Sequence, residues 1–373
     1  MSSSPLRKIA SHYLLTPQGF FSSPLLTIDS TTGRIVALTR YDRGLDFCPE
    51  VEFYAGILCP AFVNAHCHSE LSYLRGEIAE GGGYSAFAAG MAAVRGNFTP
   101  EQRQQALAEA DAQMWNEGIG AVVDIVNDDS SFVIKSRSAI DYHSFAEVFG
   151  LKQSNIELCQ QLTSYQQTSL TPHSTYSIQQ SDFQSVCQTG DNLLTIHFKE
   201  SEGEQQLFEG HGALHEWYKA VGFECDFLHF ASPAERIVRT IDSSRQVMLV
   251  HNCHITQQDI DLIMSHFTAP VYWTLCPRSN RYISGSLPQS VELLRANGLN
   301  ICIGTDSLAS NHSLSILEEL KCFESVPLEE RLMWATYNGA AALGIEATGL
   351  INIVGADLQQ MQLTSLSHIK RIL

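Results

Sequence analysis

The stretch ILCPAFVNAHCH (residues 57–68) is an apolar run that ends in two histidines separated by a cysteine. Side chains alternate between the two faces of a β-strand, so we expect His66 and His68 to point one way and Cys67 the other. Three interpretations fit this pattern: a metal site, a thiol site, or a strand with two incidental histidines. An HxH pair seen alone is more often incidental, so the rest of the chain must decide.

Seven further apolar, β-rich runs follow, mostly at intervals that leave room for a helix. They are IGAVVDIVND (119–128), HSFAEVFGL (143–151), SLTPHSTYS (169–177), LLTIHFKES (193–201), VMLVHNCH (247–254), APVYWTLCPRSN (269–280) and NICIGTDSLASN (300–311). In the helix-like segment at 99–118, Thr99 and Gln102 are placed as a capping box. Eight βα units predict an α/β fold, a closed (β/α)8 barrel of the TIM type, over residues 57–345.

The two ends of the chain have a different character. Residues 13–40 read as strand, turn and strand, with Thr32-Gly33 at the turn, and GLINIVGADLQQMQL (349–363) has a similar pattern. We therefore predict that residues 1–56 and 346–373 form a small composite β-sandwich domain beside the barrel.

Composition limits the classes of partner. The 373 residues include 40 acidic and 23 basic ones, a formal charge of −17, which repels a phosphate backbone and argues against nucleic acid. We find no secretory leader and no apolar stretch of membrane-spanning length, so we expect no membrane association and a cytoplasmic protein. The ten cysteines are scattered without a CxxC pair, which indicates buried, reduced thiols.

A barrel of this kind places its active site at the carboxyl ends of its strands. Five of the eight runs carry metal-binding or acid-base residues there, and these residues are His66, His68, His173, His197, Glu200, His251, His254 and Asp306. Each has an alternative explanation: a strand-end histidine is usually structural, and Asp306 could cap a helix. Their joint placement favours a metal site, since imidazoles with a carboxylate suit Zn²⁺, Fe²⁺ or Mn²⁺. Such a cation lowers the pKa of bound water to about 7.

The segments PAFVNAHCH (60–68), HFKESEGE (197–204), LVHNCH (249–254) and IGTDSLASN (303–311) together resemble the amidohydrolase superfamily, in its deaminase and chlorohydrolase branch. Within that branch, HSELSYLRG (68–76) and CPRSN (276–280) are most similar to 6-aminodeoxyfutalosine deaminases and their relatives. The resemblance covers nearly the whole chain.

That resemblance implies one divalent metal, with zinc as the expected ion and iron as the alternative, held by His66, His68, His197 and Asp306. It also implies that Glu200 transfers a proton to the substrate ring, that His251 orients the attacking water, and that Asp306 relays a second proton. Glu202, Glu204 and His254 are the competing residues nearby. A single metal is favoured because the fourth run lacks the lysine that binuclear members use.

The chain departs from the family's pattern at one point and contains one motif that another fold also uses. Pro60-Ala61 replaces the family's usual Pro-Gly, which should alter a turn and leave the chemistry intact. His68-Ser69-Glu70 also reads as the H-x-E of the cytidine-deaminase fold, but no P-C-x-x-C follows, so that alternative fails.

Several residues just beyond the strand ends are candidates for contact with a small-molecule substrate, namely Glu70, Arg75, His173, Arg278 and Asn280. Arg278 is the candidate for binding a substrate carboxylate, with a surface ion pair as its alternative role. Three functions remain open: deamination of a 6-aminopurine nucleoside, deamination or dechlorination of another N-heterocycle such as guanine, cytosine or a triazine, and an inactive metal-binding scaffold. The resemblance suggests a homodimer.

Overall fold

The computed structural model describes residues 5–42, 50–189 and 193–373. Within these ranges there are fifteen strands: β1 (Leu6–Thr16), β2 (Gly19–Ser22), β3 (Pro24–Asp29), β4 (Ile35–Arg40), β5 (Val51–Cys59), β6 (Phe62–Cys67), β7 (Ile119–Val126), β8 (Asp141–Val148), β9 (Thr168–Pro172), β10 (Leu193–Phe198), β11 (Gln246–His251), β12 (Val271–Leu275), β13 (Asn300–Ile303), β14 (Ile351–Val354) and β15 (His368–Arg371).

The same ranges contain fourteen α-helices: α1 (Gly83–Val94), α2 (Pro100–Asn116), α3 (Phe132–Lys135), α4 (Ile156–Leu162), α5 (Gln180–Gln188), α6 (Glu202–Phe208), α7 (Gly212–Val221), α8 (Pro233–Thr240), α9 (Gln257–His266), α10 (Pro277–Ser284), α11 (Val291–Ala296), α12 (Ile316–Leu320), α13 (Leu328–Met333) and α14 (Gly339–Leu343). Two 3₁₀ segments cover Ser69–Leu74 and Lys321–Phe323, and Trp334–Asn338 is π-helical.

Strands β6 to β13 form the barrel. They pair in parallel, in the order β6-β7-β8-β9 and β10-β11-β12-β13, and each overlaps one of the eight predicted runs. The two four-stranded sheets meet at both edges through isolated parallel bridges, one between Cys67 and Asp306 and one between Ser174 and His197. The predicted (β/α)8 fold is thereby confirmed, and its carboxyl edge carries the predicted polar residues.

The chain termini share one hydrogen-bonded sheet of seven strands, in the order β15-β14-β5-β1-β3-β4 with β2 on β1. This sheet has an apolar cluster of its own, in which Ile9, Leu26 and Leu58 are fully buried. The predicted turn at Thr32-Gly33 joins β3 to β4, which pair antiparallel. Both termini thus contribute to the small β-domain, as expected.

The first predicted run divides into two strands. Its residues 57–59 end β5 in the terminal sheet, and β6 begins only at Phe62, after Pro60 and Ala61. Proline lacks the backbone N–H that a continuous ladder needs, which favours a break there. The domain division predicted between residues 56 and 57 therefore passes through β5, and the division itself stays a prediction.

Local sequence signals agree with the structure elsewhere. The Thr99 hydroxyl accepts a hydrogen bond from the Gln102 backbone N–H, and the Gln102 side chain accepts one from the Thr99 N–H, so the capping box at α2 is confirmed. All nine described cysteines are free and six are buried, whereas Cys48 lies outside the described residues. Across the described ranges, the helices are all too short or too polar to cross a bilayer.

Candidate metal centre

Four buried histidines and an aspartate meet at the carboxyl ends of the barrel strands. His66 and His68 come from β6 and the residue after it, His197 from β10, His251 from β11, and Asp306 follows β13. The ring centroid of His66 lies 4.9 Å from that of His68, 4.8 Å from that of His197 and 5.7 Å from that of His251. Ligand atoms of His66, His68 and Asp306 all lie within 4.8 Å of one another.

The backbone around these residues is held by close contacts between β6 and the segment after β13. The N–H groups of Thr305 and Asp306 donate to the His66 carbonyl at 3.0 and 3.1 Å. A Cβ on Gly304 would lie 2.7 Å from the His66 Cβ and 2.8 Å from its backbone nitrogen, so only glycine fits. Asp306 and His251 adopt positive φ angles of 57° and 76°, which non-glycine residues rarely do and which cluster at functional sites.

The free ring nitrogens fit a bound cation. Both nitrogens of His66 and Nδ1 of His68 are buried without a hydrogen-bond partner among the described residues. His197 Nδ1 lies 2.9 Å from the His173 carbonyl, to which it can only donate, so Nε2 keeps its lone pair. Burial holds the pKa of His66 and His197 well below the usual value, which keeps both rings neutral, as ligation requires. Buried nitrogens without partners are costly, and a metal ion would satisfy them.

Asp306 completes the donor set as a carboxylate. Burial acts to raise its pKa, but the facing His68, His251 and His66 rings and the Ser279 hydroxyl outweigh burial and hold the pKa at about 2. The hydroxyls of Ser279 and Ser310 donate to Oδ2 at 2.6 and 2.9 Å, while Oδ1 lies 3.7 Å from His68 Nε2. One oxygen is therefore fixed by the protein, and the other faces the histidines.

His251 is oriented differently from His197. The Asn280 amide nitrogen donates to His251 Nδ1 at 3.2 Å, so a neutral His251 ring carries its proton on Nε2. That nitrogen lies 3.8 Å from the Glu200 carboxylate. His251 thus offers a donor to the centre, and Asn280, a predicted substrate residue, acts here through His251.

The Glu200 side chain is 10% exposed and lies beside the histidines, and its partial burial together with the nearby Asp306 charge raises its pKa to about 8. The competing acids are placed elsewhere: the Glu202 side chain is 73% exposed, and Glu204 is bound to Thr175 and to the Lys199 N–H. His254 is partly exposed and lies 3.9 Å from Glu202.

A cavity of about 240 Å³ opens onto the histidines. Of the residues predicted to contact a substrate, Glu70 and His173 line it. Glu70 accepts hydrogen bonds from the N–H and side-chain amide of Asn127, and burial raises its pKa to about 7. The His173 ring stacks on His197 with centroids 4.6 Å apart.

Two predicted arginines lie outside this cavity. Arg75 is exposed and donates to Gln113. Arg278 lines a separate cavity of about 660 Å³, where its guanidinium lies 3.6 Å from Glu318 and 3.4 Å from Ser313. This ion pair agrees with the alternative role of Arg278, and the contact of Arg278 with a substrate carboxylate stays a prediction.

Sequence reasoning missed two features of the cavity wall. Glu147 is the last residue but one of β8, and its buried Oε1 has no hydrogen-bond partner among the described residues and lies 3.5 Å from His197 Nδ1. An acid inside the apolar run HSFAEVFGL was the available signal. Helix α1 supplies the second feature, with Tyr84, Phe87, Met91 and the following Arg95 along the wall.

Comparison with known proteins agrees with this geometry. The chain is 29% identical over 322 residues to an adenosine deaminase of Helicobacter pylori, a match that covers 79% of this chain and 76% of the relative. Among solved structures, Helicobacter pylori aminofutalosine deaminase in complex with methylthio-coformycin superposes with a TM-score of 0.78 at 24% identity, covering 95% of this chain and 94% of that one. An adenosine deaminase from Xanthomonas campestris with bound zinc gives 0.71 at 20% identity, covering 96% and 87%.

The family comparison covers most of the barrel and reaches into the terminal sheet. Residues 57–357 match the model of the amidohydrolase family, a span that contains all of the histidines and acids described above. The protein therefore belongs to the amidohydrolase family.

Proposed function

We propose that the protein is a metal-dependent aminohydrolase that releases ammonia from a 6-aminopurine nucleoside, with aminodeoxyfutalosine as the first candidate and adenosine, 5′-methylthioadenosine and S-adenosylhomocysteine next. The observation that carries the proposal is the cluster of buried, unpartnered histidine nitrogens facing Asp306 and Glu200. The names of the Helicobacter pylori relative and of the similar structures support a 6-amino substrate.

The proposed ligands of one divalent cation are His66, His68, His197 and Asp306, of which His66, His68 and Asp306 have ligand atoms within 4.8 Å of one another. Zinc is the expected metal, as in the Xanthomonas campestris structure, and iron is the alternative. A bound cation would supply Lewis acidity, which lowers the pKa of a water ligand toward neutrality.

The remaining residues move protons. The Glu200 carboxylate accepts one proton from the attacking water, whose oxygen bonds to the amidine carbon, and Glu200 returns that proton to the adjacent ring nitrogen. A pKa raised toward neutrality suits a group that must both accept and donate. His251 donates from Nε2 to orient the water. The second proton of the water passes through Asp306 to the amine, which leaves as ammonia.

Glu70 and His173 line the cavity and are proposed to contact the substrate. Asn280 is proposed to position His251 through the hydrogen bond to Nδ1.

An assay with zinc-loaded enzyme that measures released ammonia, and released chloride for the chlorinated compound, tests the proposal. The panel holds the four purine nucleosides together with guanine, cytosine and an aminated or chlorinated triazine. We expect turnover of at least one 6-aminopurine nucleoside, with a kcat/KM higher than that for guanine, cytosine or the triazine. Preference for a base or a triazine would favour the other heterocycle reactions. Stoichiometric zinc without turnover of any compound would support a binding scaffold.

A further inference from the structure

Helix α1 forms one wall of the cavity although none of its residues is fully buried. Tyr84, Phe87 and Met91, with Arg95 just after the last helical residue, follow one another at intervals of three, four and four residues. This spacing places them in one stripe along a helix. The stripe faces the cavity along its length.

The apolar part of the stripe is firmly seated. Phe87 and Met91 pack against a small cluster that includes buried Leu74 and Ile78. At the inner end, the Tyr84 hydroxyl lies 2.9 Å from that of the buried Tyr176. The stripe therefore offers a flat or apolar group a surface between the histidine cluster and the solvent.

The cavity wall carries acidic side chains near the histidines and a basic one at the outer end of the α1 stripe. The cavity wall contains four acids, Glu70, Glu147, Glu200 and Asp306. Among the described residues of this wall, Arg95 is the only lysine or arginine, and it is exposed. Arg95 is therefore the one lysine or arginine of the described wall beside which an anionic group of a ligand could lie.

The backbone of Arg95 is held by hydrogen bonds, whereas its guanidinium binds no other group of the described chain. Its N–H donates to the Met91 carbonyl at 3.1 Å, and its own carbonyl accepts from the Arg103 guanidinium at 2.6 Å. The Arg103 guanidinium stacks in turn over the Tyr73 ring at 4.7 Å. In the described part of the chain, the Arg95 guanidinium has neither a hydrogen-bond acceptor nor an ion-pair partner, so its donors remain free for a ligand.

We propose that Arg95 is a specificity-determining residue that binds a carboxylate at the far end of the substrate, and that the preferred substrate is a 6-aminopurine nucleoside whose apolar 5′ extension ends in that carboxylate. This inference rests on the proposed function and deepens it. The planar guanidinium can engage both oxygens of a carboxylate, which a neutral ester cannot match.

The test compares aminodeoxyfutalosine with its methyl ester, which differ only at the carboxylate. Steady-state ammonia release is measured for the wild type, Arg95→Met and Arg95→Lys, with Arg34→Met as the matched control because Arg34 is an exposed arginine in the β3–β4 turn of the other sheet. Bound metal and Tm are recorded for each variant to show that the fold and the centre are intact.

We expect Arg95→Met to raise KM for the carboxylate roughly tenfold or more, the factor for a lost hydrogen-bonded charge, with kcat changed less than about twofold. Arg95→Lys should recover part of the loss, and values for the methyl ester should stay at the wild-type level. Equal losses on both compounds, or no loss on either, would overturn the role of Arg95 while the wild-type turnover still supports the proposed function. Failure of the wild type to deaminate either compound would overturn this inference about the carboxylate substrate, and turnover of adenosine or 5′-methylthioadenosine by the same preparation would show that the proposed function still stands.

Discussion

At the scale of single residues, two hydrogen bonds decide which histidine can ligate and which can donate. A carbonyl acceptor at His197 Nδ1 leaves Nε2 unprotonated, whereas an amide donor at His251 Nδ1 leaves Nε2 protonated. The two rings lie only 5.3 Å apart, yet they present opposite hydrogen-bonding character to the centre. This difference agrees with the proposed roles of His197 as a metal ligand and His251 as a residue that orients water.

Glu200→Gln should lower kcat by roughly 10²-fold to 10⁴-fold, because glutamine cannot carry the proton from water to the ring. Bound zinc should stay at the wild-type level, since Glu200 is not a proposed ligand. The measurement pairs ammonia release with metal analysis. Glu202→Gln is the control, because its side chain is 73% exposed. Wild-type kcat in Glu200→Gln would contradict the assignment.

Asn280→Asp should lower kcat by about 10-fold to 100-fold, the usual effect of losing a group that orients a site residue. A carboxylate at this position accepts a hydrogen bond from Nδ1–H, so a neutral His251 ring carries its proton on Nδ1 and no longer has the Nε2–H. The ring ¹⁵N shifts of His251 in zinc-loaded protein report the tautomer directly. An unchanged tautomer together with a lowered kcat would show that Asn280 acts in some other way.

The sequence predicted the residues that end strands, because strand ends of a parallel barrel converge on one edge whatever the loops do. The strand register alone was enough to predict the positions of His66, His68, His197 and Asp306. The position of the Arg278 side chain depends on the rotation of helix α10 after β12, and that of Arg95 depends on where α1 lies over the barrel. Neither can be predicted from the local sequence pattern. Their positions were set by tertiary packing.

At the scale of elements, the buried Asp124 of β7 contacts both the segment after β6 and helix α3. Asp124 accepts hydrogen bonds from the Ser69 N–H at 2.8 Å and the Ser69 hydroxyl at 2.6 Å. The Lys135 ammonium lies 2.6 Å from the same carboxylate, and both side chains are buried. Because Ser69 directly follows His68, this contact helps to fix one proposed ligand.

Lys135→Met should lower the free energy of unfolding by about 3–5 kcal/mol, the cost of leaving a buried charge unpaired. Urea denaturation of the zinc-free protein measures this without a contribution from metal binding. Lys8→Met is the control, because Lys8 is exposed on β1. Equal stability of the two variants would contradict a stabilising role for the pair.

Gly304→Ala should weaken zinc binding and lower Tm, because the added Cβ would lie under 3 Å from three atoms of His66. Competition with a chromogenic chelator measures the affinity. Gly96→Ala is the matched control, since its Cβ would meet no atom within 4 Å. Unchanged affinity in Gly304→Ala would show that the β6–β13 contact can shift without disturbing the centre.

The eight barrel strands were readable in the sequence because buried parallel strands are continuous apolar runs separated by polar helical segments. The ends of the strands were harder to predict from the sequence. In NICIGTDSLASN, only Asn300–Ile303 is a strand, and the rest is the segment that carries Asp306. In the first run, residues 57–59 complete the terminal sheet because β14 pairs with them. Pairing partners distant in sequence decided both cases.

At the scale of the whole molecule, the chain has a formal charge of −17, and the cavity wall contains several acids. Neither feature attracts a large anionic partner, which favours a small ligand that is bound through local contacts. The predicted homodimer, the predicted cytoplasmic location and the predicted absence of nucleic-acid binding stay predictions. Sedimentation velocity on the purified chain would decide the first of them, with a single species of twice the chain mass as the expected result.

The central claim is that one metal ion, held by the histidine cluster, is required for deamination. The most direct measurement is a titration of metal-stripped wild-type protein with zinc, following ammonia release from a 6-aminopurine nucleoside. We predict no activity without zinc, a linear rise, and a plateau at about one equivalent per chain, as expected for a three-histidine, one-carboxylate donor set. Full activity in the stripped protein, or a plateau that requires two equivalents, would contradict this account.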